Sequence, residues 1–386
     1  MRLFDNVTPE HLDDVRRIAR LIQQDTRADT IDLVSGLLCD DKGEAMVLPC
    51  VLESQQRVGQ DWGRTRFSST RFITAVERLV FGPDYCQSYA KQLASVQAPG
   101  GTGALRLAFD FFAQQLKGKR VWIGTPCWSN YQSIASAAGI ATHFFEHTTH
   151  TEAFDVQVAH ARPNDAVILQ AGAHNPSGTV YSTEDWYQIA RVCNCKGLIP
   201  IIDNASQGLG QGIVEDSLAI RILATVCPNL IVTTSFSKNF TLYHEQVGAL
   251  TVKVESEHYT DVVQQALSSI IRSNYSSPSQ FGASIVSDVL NCEFSRADWA
   301  ANLATVRTCL AERKRVLCQS IGNRLVAATS ETHGLFFQLP LPLTAIQQLR
   351  RQHAIYMLDN GRVSLAALTP KIADAVGRSV HLYLEG

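Results

Sequence analysis

Four short apolar runs separated by stretches of helical periodicity constrain this chain more than anything else in it. They are Arg120 to Ile123, Ala166 to Gln170, Leu198 to Ile202 and Leu230 to Thr234. Strands buried on both faces read as continuous apolar runs, and strand alternating with helix at this spacing builds a mostly parallel sheet with helices on both sides. An α/β fold is expected. In such sheets ligands bind beyond the carboxyl ends of the strands. Each run here empties into a polar or aromatic cluster: Pro126-Cys127-Trp128-Ser129-Asn130-Tyr131, His174-Asn175-Pro176-Ser177-Gly178, Asp203-Asn204-Ala205-Ser206-Gln207, and Ser235-Phe236-Ser237-Lys238. The clusters therefore converge on one rim.

The last cluster is the most informative. After Tyr243 and His244 the pattern turns apolar again at Val247 to Leu250, as if a second strand leaves antiparallel, so Lys238 sits on the connection. Most lysines are solvated surface charges. An ammonium whose pKa is lowered by partial burial, however, forms a Schiff base with an aldehyde, and hydroxyls such as Ser235 and Ser237 can bind a phosphate on the same ligand. That combination describes pyridoxal phosphate (PLP). A second phosphate-binding candidate is Gly100-Gly101-Thr102-Gly103, which opens an apolar-periodic helix through Phe112 and can present backbone amides and a positive helix end. Arg106 stands where the dinucleotide fingerprint needs its third glycine, which argues against a nicotinamide site. Taken singly, the other rim residues have structural readings: Trp128 as core, Asn175 to Gly178 as a turn, Asp203 as a helix cap.

Composition narrows the partner. With 386 residues, 45% apolar and 18% charged, the chain can bury a large core and divide into one big and one smaller domain. A formal charge of -2 leaves no footprint for nucleic acid or an anionic membrane, so a small-molecule partner is expected. Ten cysteines lie scattered, apart from Cys193-Asn194-Cys195, whose gap suits neither a zinc knuckle nor a redox pair; reduced core thiols are expected and no metal. The acidic N-terminus and the lack of any apolar run of ~18 residues point to a cytoplasmic protein.

Elsewhere, Thr8-Pro9-Glu10 reads as the opening of a helix to about Gln24, and Ile31 to Gly36 as a short extended piece. Pro49 to Phe81 is mostly helical, with a basic cluster at Arg64, Arg66 and Arg71. A long helix from Arg296 to about Ser320 bridges two domains. Strands at Gly334 to Leu339 and Gly361 to Ala366, and helices at Ile346 to His353 and Pro370 to Tyr383, complete the smaller one.

The chain resembles the fold-type I PLP enzymes, specifically the aspartate and aromatic amino acid aminotransferases of class I, along nearly its whole length. The residues that carry this are Ile31 to Gly43, Gly101 to Leu105, His174 to Gly178, Asp203 to Gly208, Ser235 to Gly248 and Gly361 to Leu365. The resemblance implies a three-layer, seven-stranded large domain over 41–295, an N-terminal arm with part of the small domain over 1–40, and an interdomain helix with a small α+β domain over 296–386. It implies that Lys238 carries PLP and moves the substrate Cα proton, that Asp203 faces the ring nitrogen, that Asn175 bonds the ring's phenolic oxygen and that Trp128 stacks on the ring. Gly101, Thr102 and Ser235 would hold the phosphate. Arg362, with Gly36 nearby, would take the α-carboxylate of an amino acid or 2-oxo acid, and Arg272 would reach a distal carboxylate across a homodimer with composite sites.

This sequence also departs from the pattern. Ser206 stands where the family has a tyrosine, Gln246 where it has a phosphate-binding arginine, and Gly100 where it has a serine; Gly63-Arg64-Thr65-Arg66 holds no tyrosine for a partner's phosphate. Charge-assisted pairs are about twice as strong as neutral ones, so looser PLP retention is expected unless Arg64 or Arg66 of a neighbouring subunit substitutes. Ser206 also leaves a roomier pocket, compatible with elimination, cyclisation or decarboxylation in place of amino transfer. A third possibility is a non-catalytic binding module, against which the retained Lys238, Asp203, Asn175 and Arg362 argue.

Overall fold

The computed structural model describes residues 13–63, 69–117, 120–148, 153–322 and 332–384. A two-residue strand, β1 (Ile31–Asp32), precedes seven that form one sheet. These are β2 (Leu93–Pro99), β3 (Arg120–Thr125), β4 (Ala141–Glu146), β5 (Ala166–Gln170), β6 (Ile199–Asn204), β7 (Leu230–Ser235) and β8 (Val247–Lys253). Their order is β2-β8-β7-β6-β5-β3-β4, parallel except for β8, which runs antiparallel to both neighbours. The four apolar runs are the parallel centre, β8 leaves antiparallel after Lys238 as expected, and β2 and β4 are additions. Strand β6 extends past Ile202, so Asp203 lies within the strand and not at a helix cap.

Alternation along the strands divides the core. Ile201 and Ile231 face one side, where they meet Phe109 and Phe112 of the helix Gly100–Gln114. Ile202, Leu230 and Val232 face the other, among Trp186 and Ile189 of Thr183–Lys196 and Leu223 of Leu218–Val226. Successive side chains on a strand point to opposite faces, so an unbroken apolar run is what a sheet covered on both sides requires.

Three short strands follow: β9 (Phe336–Gln338), β10 (Ile355–Tyr356) and β11 (Arg362–Ser364). β9 pairs antiparallel with β11, and β10 pairs parallel with β1, so the start of the chain is stitched into its end. The helix Glu293–Ile321 spans 29 residues, longer at its start than the sequence suggested. Near its beginning Trp299 stacks on Phe240 at 4.8 Å, and near its end Leu317 and Ile321 pack in the same core as Val376 and Val380 of Pro370–His381. Buried Arg313, between these ends, donates to the carbonyls of Cys39 (2.7 Å) and Ala366 (2.6 Å). At the N-terminus the helix Asp14–Gln24 is capped by the Asp13 carboxylate, which accepts from the Arg16 amide; the opening read at Thr8-Pro9 lies outside the described residues.

Candidate active site

The rim formed by the carboxyl ends of β3, β5, β6 and β7 opens on a cavity of 510 Å³, a size suited to a cofactor with its substrate. Lys238 reaches it because its neighbours are locked elsewhere. Phe236 and Phe240 are buried in the core, Asn239 donates to the Gln207 carbonyl at 2.9 Å, and the Trp299 indole donates to the Asn239 carbonyl at 2.7 Å. Lys238 itself lines the cavity. Burial pushes its pKa down to about 8; Asp203 opposes that shift and Arg362 adds to it. A fraction of the amine is therefore a neutral nucleophile near neutral pH.

Asp203 lines the same cavity and is 6% exposed. Burial raises its pKa, while a hydrogen bond from Tyr131 and the charge of Lys238 pull it back. The Tyr131 hydroxyl donates to Asp203 Oδ2 at 2.6 Å. Trp128 lies edge-on to Tyr131, with ring centroids 5.3 Å apart and planes at 89°, and it too lines the cavity.

The opposite wall is built around Arg362, whose side chain comes from β11 and is 4% exposed. Its Nη2 donates to the Val34 carbonyl (2.6 Å), its Nη1 to Asn175 Oδ1 (3.2 Å), and its guanidinium lies 4.3 Å from the Phe336 ring centroid. Burial lowers its pKa to about 10, so it stays charged at neutral pH. Asn175 is held by the Gln170 side chain, which accepts from its amide (2.8 Å) and donates to its carbonyl (3.1 Å). With Oδ1 taken by Arg362, the carboxamide Nδ2 is the end left to donate. Gly36 packs closely here: a Cβ would stand 3.1 Å from the Phe336 ring, and the Gly36 carbonyl accepts from the Tyr243 hydroxyl at 3.1 Å.

The third part is a cradle of neutral donors. Gly101 and Thr102 lie in the first turn of Gly100–Gln114, across from Ser235, and a Cβ on Gly101 would come within 3.0 Å of the Ser235 Cβ. Gly100 has φ +71°, and a Cβ there would meet Gln246 Oε1 at 2.5 Å, so the Gln246 side chain fills the space of any residue larger than glycine. Gln246 itself donates to the Tyr243 carbonyl at 2.7 Å. Ser206 also lines the cavity.

These residues fit PLP. A helix start with hydroxyls offers donors to a phosphate, and the buried Nε of Arg362, without a hydrogen-bond partner, marks a site made for an anion that shares its guanidinium. The cavity unites Lys238, Asp203, Asn175, Trp128, Arg362 and Gly36 with the cradle. It does not include Arg272, which is exposed at the end of Thr260–Asn274 and bonds the Ser276 hydroxyl. Arg64 and Arg66 lie outside the described residues. The sequence reading passed over Tyr131 as a partner of Asp203, Gln170 as the brace of Asn175, and Phe336. Position at a strand end could have flagged the first two; nothing local distinguishes Phe336 from core.

Comparison with known proteins agrees with this geometry. A profile described as aminotransferase class I and II matches residues 28–378. Tyrosine aminotransferase of Rhizobium meliloti is 33% identical, over 98% of this chain and 100% of its own, and aspartate aminotransferase of Salmonella typhi is 31% identical, over 95% and 96%. The crystal structure of an aromatic-amino-acid aminotransferase from Burkholderia pseudomallei, covalently bound to pyridoxal phosphate, superposes with a TM-score of 0.90 at 29% identity over the full length of both chains. With a profile spanning nearly the whole chain and full-length relatives above 30% identity, the chain belongs to the class I and II aminotransferase family.

Proposed function

We propose that this cavity exchanges an amino group between an L-amino acid and a 2-oxo acid, with Lys238 as the catalytic residue. The enzyme is a PLP-dependent aminotransferase. The observation that carries the reading is the presence, in one cavity, of a lysine with a lowered pKa, a buried carboxylate and a buried guanidinium. Bound PLP supplies an aldehyde that condenses with an amine and a ring that takes up the electron pair left at the substrate Cα. Lys238 Nζ holds the cofactor and then moves the Cα proton. Asp203 would keep the ring nitrogen protonated, Asn175 Nδ2 would donate to the phenolic oxygen, and Trp128 would cover one ring face.

Arg362 grips the α-carboxylate with its fork, beside Gly36, and so orients the Cα–H bond. Gly101, Thr102, Ser235 and Gln246 would cradle the phosphate, and Ser206 would stand on the side of the phenolic oxygen. The enzyme works as a cytoplasmic homodimer in which the partner subunit brings Arg272 to a distal carboxylate; the ten free cysteines suit a reducing compartment. We assign 41–295 to the large domain, and 1–40 with 296–386 to the arm and small domain.

The test is a half-reaction. With an amino acid alone the yellow protein loses its colour and releases one equivalent of 2-oxo acid per site, and a second 2-oxo acid restores the colour. Continued turnover without any acceptor would instead place the enzyme among the eliminating or decarboxylating PLP enzymes.

A further inference from the structure

We infer that Tyr131 is a positioning residue that fixes the ring-facing carboxylate and the stacking indole together, through its hydroxyl on Asp203 and its ring against Trp128. The inference rests on the assignment of Asp203 to the ring nitrogen. Tyr131 stands in the first turn of the helix Asn130–Ala137, where its amide donates to the Trp128 carbonyl at 3.2 Å. Its side chain is 2% exposed, and the hydroxyl reaches Asp203 Oδ2 at 2.6 Å. A buried tyrosine commonly finds some polar partner. Here the partner is the carboxylate of the cavity, and the same ring sits edge-on to Trp128 at 5.3 Å.

The direction of the bond decides its consequence. Burial and the neighbouring Asp203 charge hold the Tyr131 hydroxyl well above its ordinary pKa, so it stays protonated and donates. Donation favours the ionised carboxylate, opposing the burial that pushes Asp203 toward the neutral acid. A proton shared between a ring nitrogen and Asp203 therefore stays on the nitrogen. Without the hydroxyl Asp203 becomes the stronger base and draws that proton to itself, weakening the ring as an electron acceptor. The carboxylate also loses one of its two side-chain hydrogen-bond partners, keeping Thr233.

Tyr131→Phe separates this from packing, because it removes the hydroxyl and leaves the ring against Trp128. Wild-type and variant enzyme are loaded with PLP labelled with ¹⁵N in the ring, and the nitrogen resonance is recorded alongside kcat and KM. The wild type should show a protonated nitrogen. In the variant the resonance should move toward the unprotonated value and kcat should fall on the order of 10- to 100-fold, the worth of one hydrogen bond to a charged group. KM for the amino acid should change by less than about threefold, since the carboxylate-binding Arg362 is untouched. Tyr131→Leu, which also removes the ring, should in addition release PLP faster. A Tyr131→Phe enzyme with the wild-type resonance and kcat would overturn the inference alone. A wild-type enzyme whose ring nitrogen is unprotonated would overturn the assignment of Asp203 and the inference with it.

Discussion

Replacing Arg362 by lysine keeps a positive charge in the cavity wall and removes the planar fork, which makes it a sharp test of substrate orientation. In the free enzyme the guanidinium divides its donors between the Val34 carbonyl, Asn175 Oδ1 and an unpartnered Nε. A lysine can supply one bond to a carboxylate but not a matched pair. Each hydrogen bond to a charged group is worth about 1.5–3 kcal/mol, so loss of one should lower kcat/KM by roughly 10- to 150-fold. Arg362→Leu removes both bonds and the charge and should cost roughly 10²- to 10⁴-fold. The assay is single-turnover bleaching of the bound cofactor, run with an amino acid and with the corresponding amine that lacks the α-carboxylate. The amino acid should lose its advantage while the amine reacts as before. If both compounds slow by the same factor, or neither does, Arg362 does not read the carboxylate.

Other consequences can be checked separately. Lys238 titrates near pH 8 in the folded chain against about 10.5 for the ordinary side chain, so capture of PLP by the apoenzyme should rise with pH and level off above about 8; a rate still climbing at pH ~10 would refute the depressed pKa. Because the unfolded lysine keeps its proton longer, wild-type apoenzyme should also gain stability relative to Lys238→Met between about pH 8 and 10.5, as followed by denaturant melts. Gln246→Arg places a cation at the phosphate cradle and should slow PLP loss on dialysis, whereas Arg64→Ala with Arg66→Ala should speed it if a neighbouring subunit supplies that charge; unchanged release in the double variant removes those arginines from the site. Asp216, buried, accepts from the amides of Gly208, Gly210 and Gln211 in the loop that follows Asp203, at 2.8–2.9 Å. Asp216→Ala should cost on the order of 3 kcal/mol in denaturant melts by leaving buried amides unpaired, and a cost below about 0.5 would contradict that accounting.

Much of this molecule could be read in the sequence because its parallel centre is buried on both faces. Runs such as Ile201-Ile202 and Ile231-Val232 are apolar without interruption, and each chemical group follows its run within a few residues. The edge strand β4 escaped because Ala141 to Glu146 mixes Thr142 and His143 with an exposed Phe144, so it has no continuous apolar stretch. β2 was hidden by the glycines that follow it and attract attention as a phosphate loop. Tyr131 could be seen but not interpreted: its partner lies 72 positions away, and a buried tyrosine beside a tryptophan reads equally well as packing. Arg272 does not line the cavity of its own chain, so the role proposed for it requires a second subunit, which no single-chain pattern specifies.

Every role proposed for the cavity depends on one covalent bond, between Lys238 and PLP. Borohydride added to the yellow enzyme should bleach it, and peptide mass mapping should find one pyridoxyl group per chain, on Lys238. A label on another lysine, or a Lys238→Ala protein that still takes up the label, would contradict the assignment of this cavity as the catalytic site.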